Sequence, residues 1–190
     1  MDIKEYNANP TLDWKDLGDS HVNIGIVVSR FNYPITSNLL EGAKIALNTA
    51  ATVIDEVSIF WVPGSFEIPV MARHLATYER RARAVICLGA VIRGETDHYE
   101  YIAQAVSRGL TDVALDTGTP IIFGVLTVDN LEQAYARSGG EDGRFIGKPL
   151  SSQKNKTNSD SSAETIGNAG YSAGIAALEM ISFIKPIESE

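Results

Sequence analysis

The chain has 190 residues, 44% of them apolar and 21% charged, a profile of one globular domain with enough material for a sizeable core. Its net charge is −8 and its pI about 4.9, with no basic stripe, which argues against nucleic acid and anionic membranes as partners. The single cysteine, Cys87, cannot form an internal disulfide. The N-terminal M-D-I-K-E-Y lacks the basic and apolar regions of a secretion signal, and no apolar run reaches membrane-spanning length, so a cytoplasmic protein is expected.

In chain order, residues 1–20 are polar and read as an arm. Val22–Ser29 predicts a buried strand, Arg30 to Tyr33 its exit loop, and Pro34 suits the entry to the next element. From Ile35 to Ala51, Leu39, Leu40, Ala43, Ala46, Leu47 and Ala50 recur at helical spacing. Val57–Val62 predicts the second strand, stopped by Pro63 and Gly64. Phe66–Tyr78 predicts a helix that tolerates Pro69 in its first turn. Ala84–Ala90 predicts the third strand, in which Cys87 reads as a small buried hydrophobe.

A helix over Asp97–Leu115 follows, ended by Thr117-Gly118-Thr119-Pro120, and Ile121–Leu126 predicts the fourth strand. Asp129–Arg137 predicts a helix with Asp129 as its cap. Residues 139–163, with G-G-E-D-G and S-S-Q-K-N-K-T-N-S-D-S-S, are too polar to bury much surface and predict a mobile loop. A last helix spans about Thr165 to Ile184.

Strands alternate with helices, and each strand reads as apolar on both faces. The expected fold class is therefore α/β: a single-domain, three-layer α/β/α sandwich around a four-stranded parallel sheet, flavodoxin-like. Ligands of such sheets sit beyond the carboxyl ends of the strands, so the exit loops are where chemistry is expected. Phe31 reads either as a stacking platform for a flat heterocycle or as an aromatic lid over the core. Gly64-Ser65-Phe66-Glu67 opens a helix; its amides and the Glu67 carboxylate suit a polyol, or Glu67 only offsets the helix dipole.

Gly94-Glu95-Thr96 could cradle a phosphate, although Glu95 and Asp97 then require a cation from elsewhere, for which Arg93 and Arg137 are candidates. His98 follows at once and suits a general acid/base near neutral pH. His21 and His74 receive no such role. No cluster has metal-ligand spacing, so no metal is expected, and there is no P-loop or dinucleotide fingerprint.

Four blocks, taken in order, resemble the 6,7-dimethyl-8-ribityllumazine synthase family of riboflavin biosynthesis. They are I-G-I-V-V-S-R-F-N with I-T-S-N-L-L-E-G-A, then W-V-P-G-S-F-E-I-P, then L-G-A-V-I-R-G-E-T-D-H-Y-E-Y, then I-I-F-G-V-L-T. The resemblance runs from Ile24 to Ile184 except across the polar loop. It implies a transferase that joins 5-amino-6-(D-ribitylamino)uracil to 3,4-dihydroxy-2-butanone 4-phosphate without a cofactor. It further implies that Phe31 stacks on the pyrimidine, that Ser65, Phe66 and Glu67 hold the ribityl chain, and that Ala90, Val91 and Ile92 offer backbone groups to the ring. Glu95 and Thr96 would give amides to the phosphate and His98 would move protons. Phe123 and Arg137 would come from a neighbouring subunit, so the resemblance implies a homopentamer with active sites at subunit interfaces.

Two departures from the family pattern stand out. A short link after Arg137 is replaced by the long polar loop, and Thr165 and Ala169 stand where lysines are usual, leaving Lys148, Lys154 or Lys156 as substitutes. A bulky loop at that place is expected to leave a free pentamer rather than a sixty-subunit shell. The competing readings are a non-catalytic flavin- or lumazine-binding carrier on the same fold and a phosphate-sensing signalling domain. The latter would need an acidic cluster where Arg30-Phe31-Asn32 stands.

Overall fold

The computed structural model describes residues 22–51, 53–78, 82–153 and 164–184; the expected arm over residues 1–20 lies outside them. The elements are β1 (Val22–Ser29), α1 (Tyr33–Asn48), β2 (Ile54–Val62), α2 (Ile68–Thr77), β3 (Ala84–Ile92), α3 (His98–Thr117), β4 (Ile121–Val128), α4 (Leu131–Arg137), β5 (Ser151–Gln153), β6 (Glu164–Ile166) and α5 (Ala169–Phe183). β1 to β4 form one parallel sheet in the order β2-β1-β3-β4. The chain runs outward from β1 to β2, then returns to the other side of β1. The sheet's topological switch therefore lies between β1 and β3, where a crevice opens at the carboxyl ends.

The two central strands explain the three layers. Ile24, Ile26 and Val28 of β1 and Ala84, Ile86, Leu88 and Ala90 of β3 join one core with residues of α1, α4 and α5. The alternate residues Val27, Val85, Cys87 and Val91 join a second core with residues of α2 and α3. With a period of two and helices on both faces, a strand must be apolar across its middle, as Ile24 to Val28 and Ala84 to Ile92 are. The edge strand β2 is not: Asp55, Glu56, Ile59 and Phe60 are exposed, which corrects the expectation that every strand is buried on both faces. The other edge, β4, likewise exposes Phe123 and Thr127.

Small residues bring α1 and α5 close together. A Cβ on Gly170 would stand 1.9 Å from the Leu39 carbonyl oxygen, and one on Gly174 would stand 2.6 Å from the Ala46 Cβ. Asn168 is fully buried at this junction. Its Nδ2 donates to the carbonyls of Asn38 at 2.9 Å and Ser138 at 2.8 Å, while its Oδ1 accepts the Tyr171 N–H at 2.9 Å as the cap of α5. A buried amide with every direction satisfied specifies one arrangement of the elements it joins, here α1, the end of α4 and α5.

Three sequence expectations shift. The cap of α4 is Asn130, whose side chain accepts the Gln133 N–H, not Asp129, which pairs with an arginine instead. The last helix starts at Ala169 rather than Thr165, because Glu164–Ile166 forms a strand first. In the polar loop, residues 139–150 form a run of turns. Gly139 and Gly140 adopt φ of 105° and 86°, and the Phe145 N–H reaches the Gly139 carbonyl at 2.9 Å. β5 and β6 then pair antiparallel, and residues 154–163 lie outside the description.

Gly170→Ala would force a methyl group into the Leu39 carbonyl. The expected result is a loss of about 3 kcal/mol of stability, the upper range for overpacking, read as a lowered denaturant midpoint.

Candidate functional site

The β1 exit loop is fastened to both neighbouring exits. The Arg30 N–H donates to the Val62 carbonyl at 2.8 Å and the Phe31 N–H to the Pro63 carbonyl at 3.1 Å, tying it to the end of β2. Asn32 ties it to β3: its Nδ2 donates to the Ala90 carbonyl at 2.9 Å. Asn32 is the one non-glycine residue with positive φ among the described residues, at φ 60° and ψ 41°. Asn tolerates this left-handed conformation better than most residues do. The conformation also lets its carbonyl accept the Ile35 and Thr36 amides that begin α1, at 2.9 and 3.1 Å.

These bonds enclose a cleft of about 380 Å³, a size suited to a small molecule. Phe31, Ser65, Phe66, Ala90, Val91, Ile92, Thr96 and His98 line it. The Phe31 side chain is 70% exposed, so it does not serve as a lid buried over the core. Ser65 is buried at the start of the turn leading into α2. Thr96 and His98 stand where β3 hands over to α3, whose first amides have no partners within the helix and face an anion-ready end.

The other expected site residues are placed differently. Glu67 bends back so that its Oε2 accepts the Gly64 N–H at 2.9 Å, which uses one of its two oxygens to hold the loop. Glu95 is exposed beside Thr96 and is not among the lining residues. Phe123 lies on the outer edge strand β4, 46% exposed, and Arg137 is the half-buried last residue of α4; neither lines this chain's cleft.

Gly64 and Gly94, which belong to the two loops read above as polyol and phosphate cradles, also line the cleft, as do Tyr99 and Ile102, which the sequence reading did not single out. Ile102 was findable: it stands four residues after His98 on α3, so a histidine facing the cleft brings Ile102 with it, whereas Tyr99, one residue on, carried no such signal.

Arg93, a candidate phosphate cation, is already engaged. Its Nε reaches Asp129 Oδ1 at 3.1 Å, its Nη1 reaches Glu100 Oε1 at 3.4 Å, and its guanidinium lies 4.8 Å from the centre of the Tyr99 ring. Hydrogen bonding to Asp129, with Glu100 adding to it, raises its already high pKa. Cys87 is fully buried, and burial pushes its thiol pKa up, which suits an inert core residue rather than a nucleophile.

Asn32→Ala removes both the donor to Ala90 and the tolerance for the left-handed backbone. It should cost about 2 kcal/mol in chemical denaturation, and Asn32→Gly, which restores only the backbone freedom, should fall between Ala and the parent.

Comparison with known proteins gives two concordant findings. Residues 21–185 match the family model described as 6,7-dimethyl-8-ribityllumazine synthase. Two curated relatives named 6,7-dimethyl-8-ribityllumazine synthase, from two strains of Clostridium kluyveri, are each 41% identical over 167 residues, covering 88% of this chain and 92% of theirs.

Proposed function

From the premise that this chain belongs to the 6,7-dimethyl-8-ribityllumazine synthase family, we propose how its residues divide the work of the family reaction. The enzyme is a transferase of riboflavin biosynthesis. It condenses 5-amino-6-(D-ribitylamino)uracil with 3,4-dihydroxy-2-butanone 4-phosphate to give 6,7-dimethyl-8-ribityllumazine, phosphate and water. The observation that carries the division of roles is that Phe31, Ser65, Ala90, Thr96 and His98, drawn from three strand exits, line one cleft.

Phe31 stacks on the pyrimidine ring, whose polar edges meet backbone groups of Ala90, Val91 and Ile92. The ribityl chain lies along Ser65 and Phe66, with Glu67 accepting hydroxyl protons through the oxygen not turned to Gly64. The phosphate sits on the amides of Glu95 and Thr96, at the α3 N-terminus. Using the Glu95 amide rather than its carboxylate avoids repulsion between like charges.

His98, beside that phosphate, carries protons through imine formation, phosphate loss and ring closure. Each of those steps needs a proton moved at a nitrogen or oxygen, and an imidazole can give and take near neutral pH. Holding the two substrates together does most of the work, since it turns a two-body encounter into a one-body step. No observation favours a carrier that has lost catalysis.

Phe123 and Arg137 act in a neighbouring copy's cleft, which makes the working unit a homopentamer. Their positions outside this chain's own cleft support that reading. So do the exposed apolar residues Val70 (76%), Tyr101 (70%) and Leu115 (79%) on α2 and α3. Cytoplasmic residence belongs to the same proposal, supported by a lone cysteine kept in the core. No helix among the described residues is long and apolar enough to cross a membrane.

Lys148 is the substitute for the usual lysines that the described residues contain. Its carbonyl accepts the Asn168 N–H at 2.9 Å, beside Ala169, and its ammonium lies 5.2 Å from the centre of the Phe145 ring.

Mixing the two substrates with the protein should produce the lumazine chromophore, and His98→Ala should lower turnover by about 10- to 100-fold without abolishing it. Complete loss with fold and assembly intact would mean that His98 does more than move protons. In sedimentation the protein should run as five chains of 20.5 kDa, near 100 kDa in all; a megadalton particle would overturn the free pentamer.

A further inference from the structure

We propose that Arg93 is a positioning residue that clasps the phosphate-binding loop and the first turn of α3 in place, and that it is not itself a ligand of the phosphate. The proposal rests on the phosphate assignment made above for residues 95 and 96.

Arg93 is the first residue after β3 and the point from which the loop departs. Its N–H donates to the Val128 carbonyl at 2.9 Å, extending the β3–β4 ladder by one bond. Its side chain then reaches two ways, to Asp129 past the end of β4 and to Glu100 in the first turn of α3, and it lies over Tyr99, which lines the cleft. One residue thus joins the β3 exit, the β4 exit and the start of the helix that carries His98.

Little else holds the loop. Among the described residues, no side-chain hydrogen bond ties residues 94–97 to another element, and Asp97 caps α3 without a side-chain bond. A Cβ on Gly94 would meet nothing within 4 Å. α3 as a whole is seated by Val106 and Leu110 in the second core, with Tyr99 and Ile102 packed against it, so what the guanidinium sets is the place of the loop amides and of the first turn relative to the two strand exits.

Charge separates a clasp from a ligand. One guanidinium between two carboxylates makes a cluster of net charge −1, which repels a phosphate rather than attracting it. The Nε–H and one terminal N–H are directed at carboxylates, and the aromatic contact covers one face of the plane. The planar fork also explains the choice of residue, since a lysine offers a single ammonium and cannot hold two carboxylates in fixed directions while lying flat on a ring.

The test uses Arg93→Gln, Arg93→Lys, Asp129→Asn and the double variant Arg93→Gln/Asp129→Asn in the full-length enzyme. Steady-state kinetics with each substrate varied in turn are paired with hydrogen exchange over residues 100–103, the first amides of α3 with carbonyl partners. A clasp predicts that Arg93→Gln raises KM for the butanone phosphate by about tenfold and leaves KM for the pyrimidine within about twofold. Asp129→Asn should shift the same constant in the same direction, the double variant should be no worse than Arg93→Gln, and Arg93→Lys should fail to rescue. Exchange over 100–103 should quicken in every one of these variants.

A direct ligand would behave otherwise: Arg93→Lys would keep most of the affinity, and Asp129→Asn, by freeing the guanidinium, would lower KM. Either result, additive losses in the double variant, or unchanged exchange overturns the clasp. Because exchange needs no substrate, a parent protein that makes no lumazine would count against the assigned reaction and leave the clasp to be judged by exchange alone.

Discussion

The site depends on one hydrogen bond across the switch in the sheet, from the Asn32 side chain to the Ala90 carbonyl. At the switch, helices leave on opposite faces, and the ladder between β1 and β3 ends at Val28 and Leu88. The bond ties the two exits together beyond that last pair. It requires a residue that both accepts a left-handed backbone and carries a donor, and the same residue supplies the carbonyl that starts α1. The ring of Phe31 and the backbone of Ala90 to Ile92 are thereby set at fixed spacing, which a catalyst that works by alignment requires.

The sheet supplies the rigidity behind that spacing. β1 and β3 are buried on both faces, and their side chains divide between two cores, so neither strand can shift without disturbing both. The more adjustable parts, the turn at Ser65 and the loop at residues 94–97, hang from the strands at their exits. The division is physical: scaffold atoms lie in the layers, and many of the residues that line the cleft lie on connections that water can reach.

Much of this was legible in the residues. β1 could be read to its ends because Ile24 and Ile26 to Val28 form an apolar, β-branched segment broken only by Gly25 and closed by the polar Arg30-Phe31-Asn32 loop, and His98 could be placed at a helix start from Gly94 to Asp97 alone. β2 was harder. Its first residues, Ile54 to Glu56, carry two acids that fit only an edge strand, and edge position is a property of the sheet, not of the segment. Asp129 looked like a cap because its chemistry suits one; an arginine 36 residues earlier in the chain took it, and Asn130 caps the helix instead. Glycines in the polar loop read as disorder, yet Gly139 and Gly140 serve as turn residues, a distinction that composition does not make.

The pairing of β5 with β6 has a consequence for how the chain tolerates change. Ser151 pairs in register with Ile166 and Gln153 with Glu164, so residues 153 and 164 are brought side by side just before α5 begins. A connection between such neighbouring points can change in length at a closure cost that grows only logarithmically, about 0.6 kcal/mol per doubling, so the entry of α5 is set by the strand pair rather than by the length of chain joined to it.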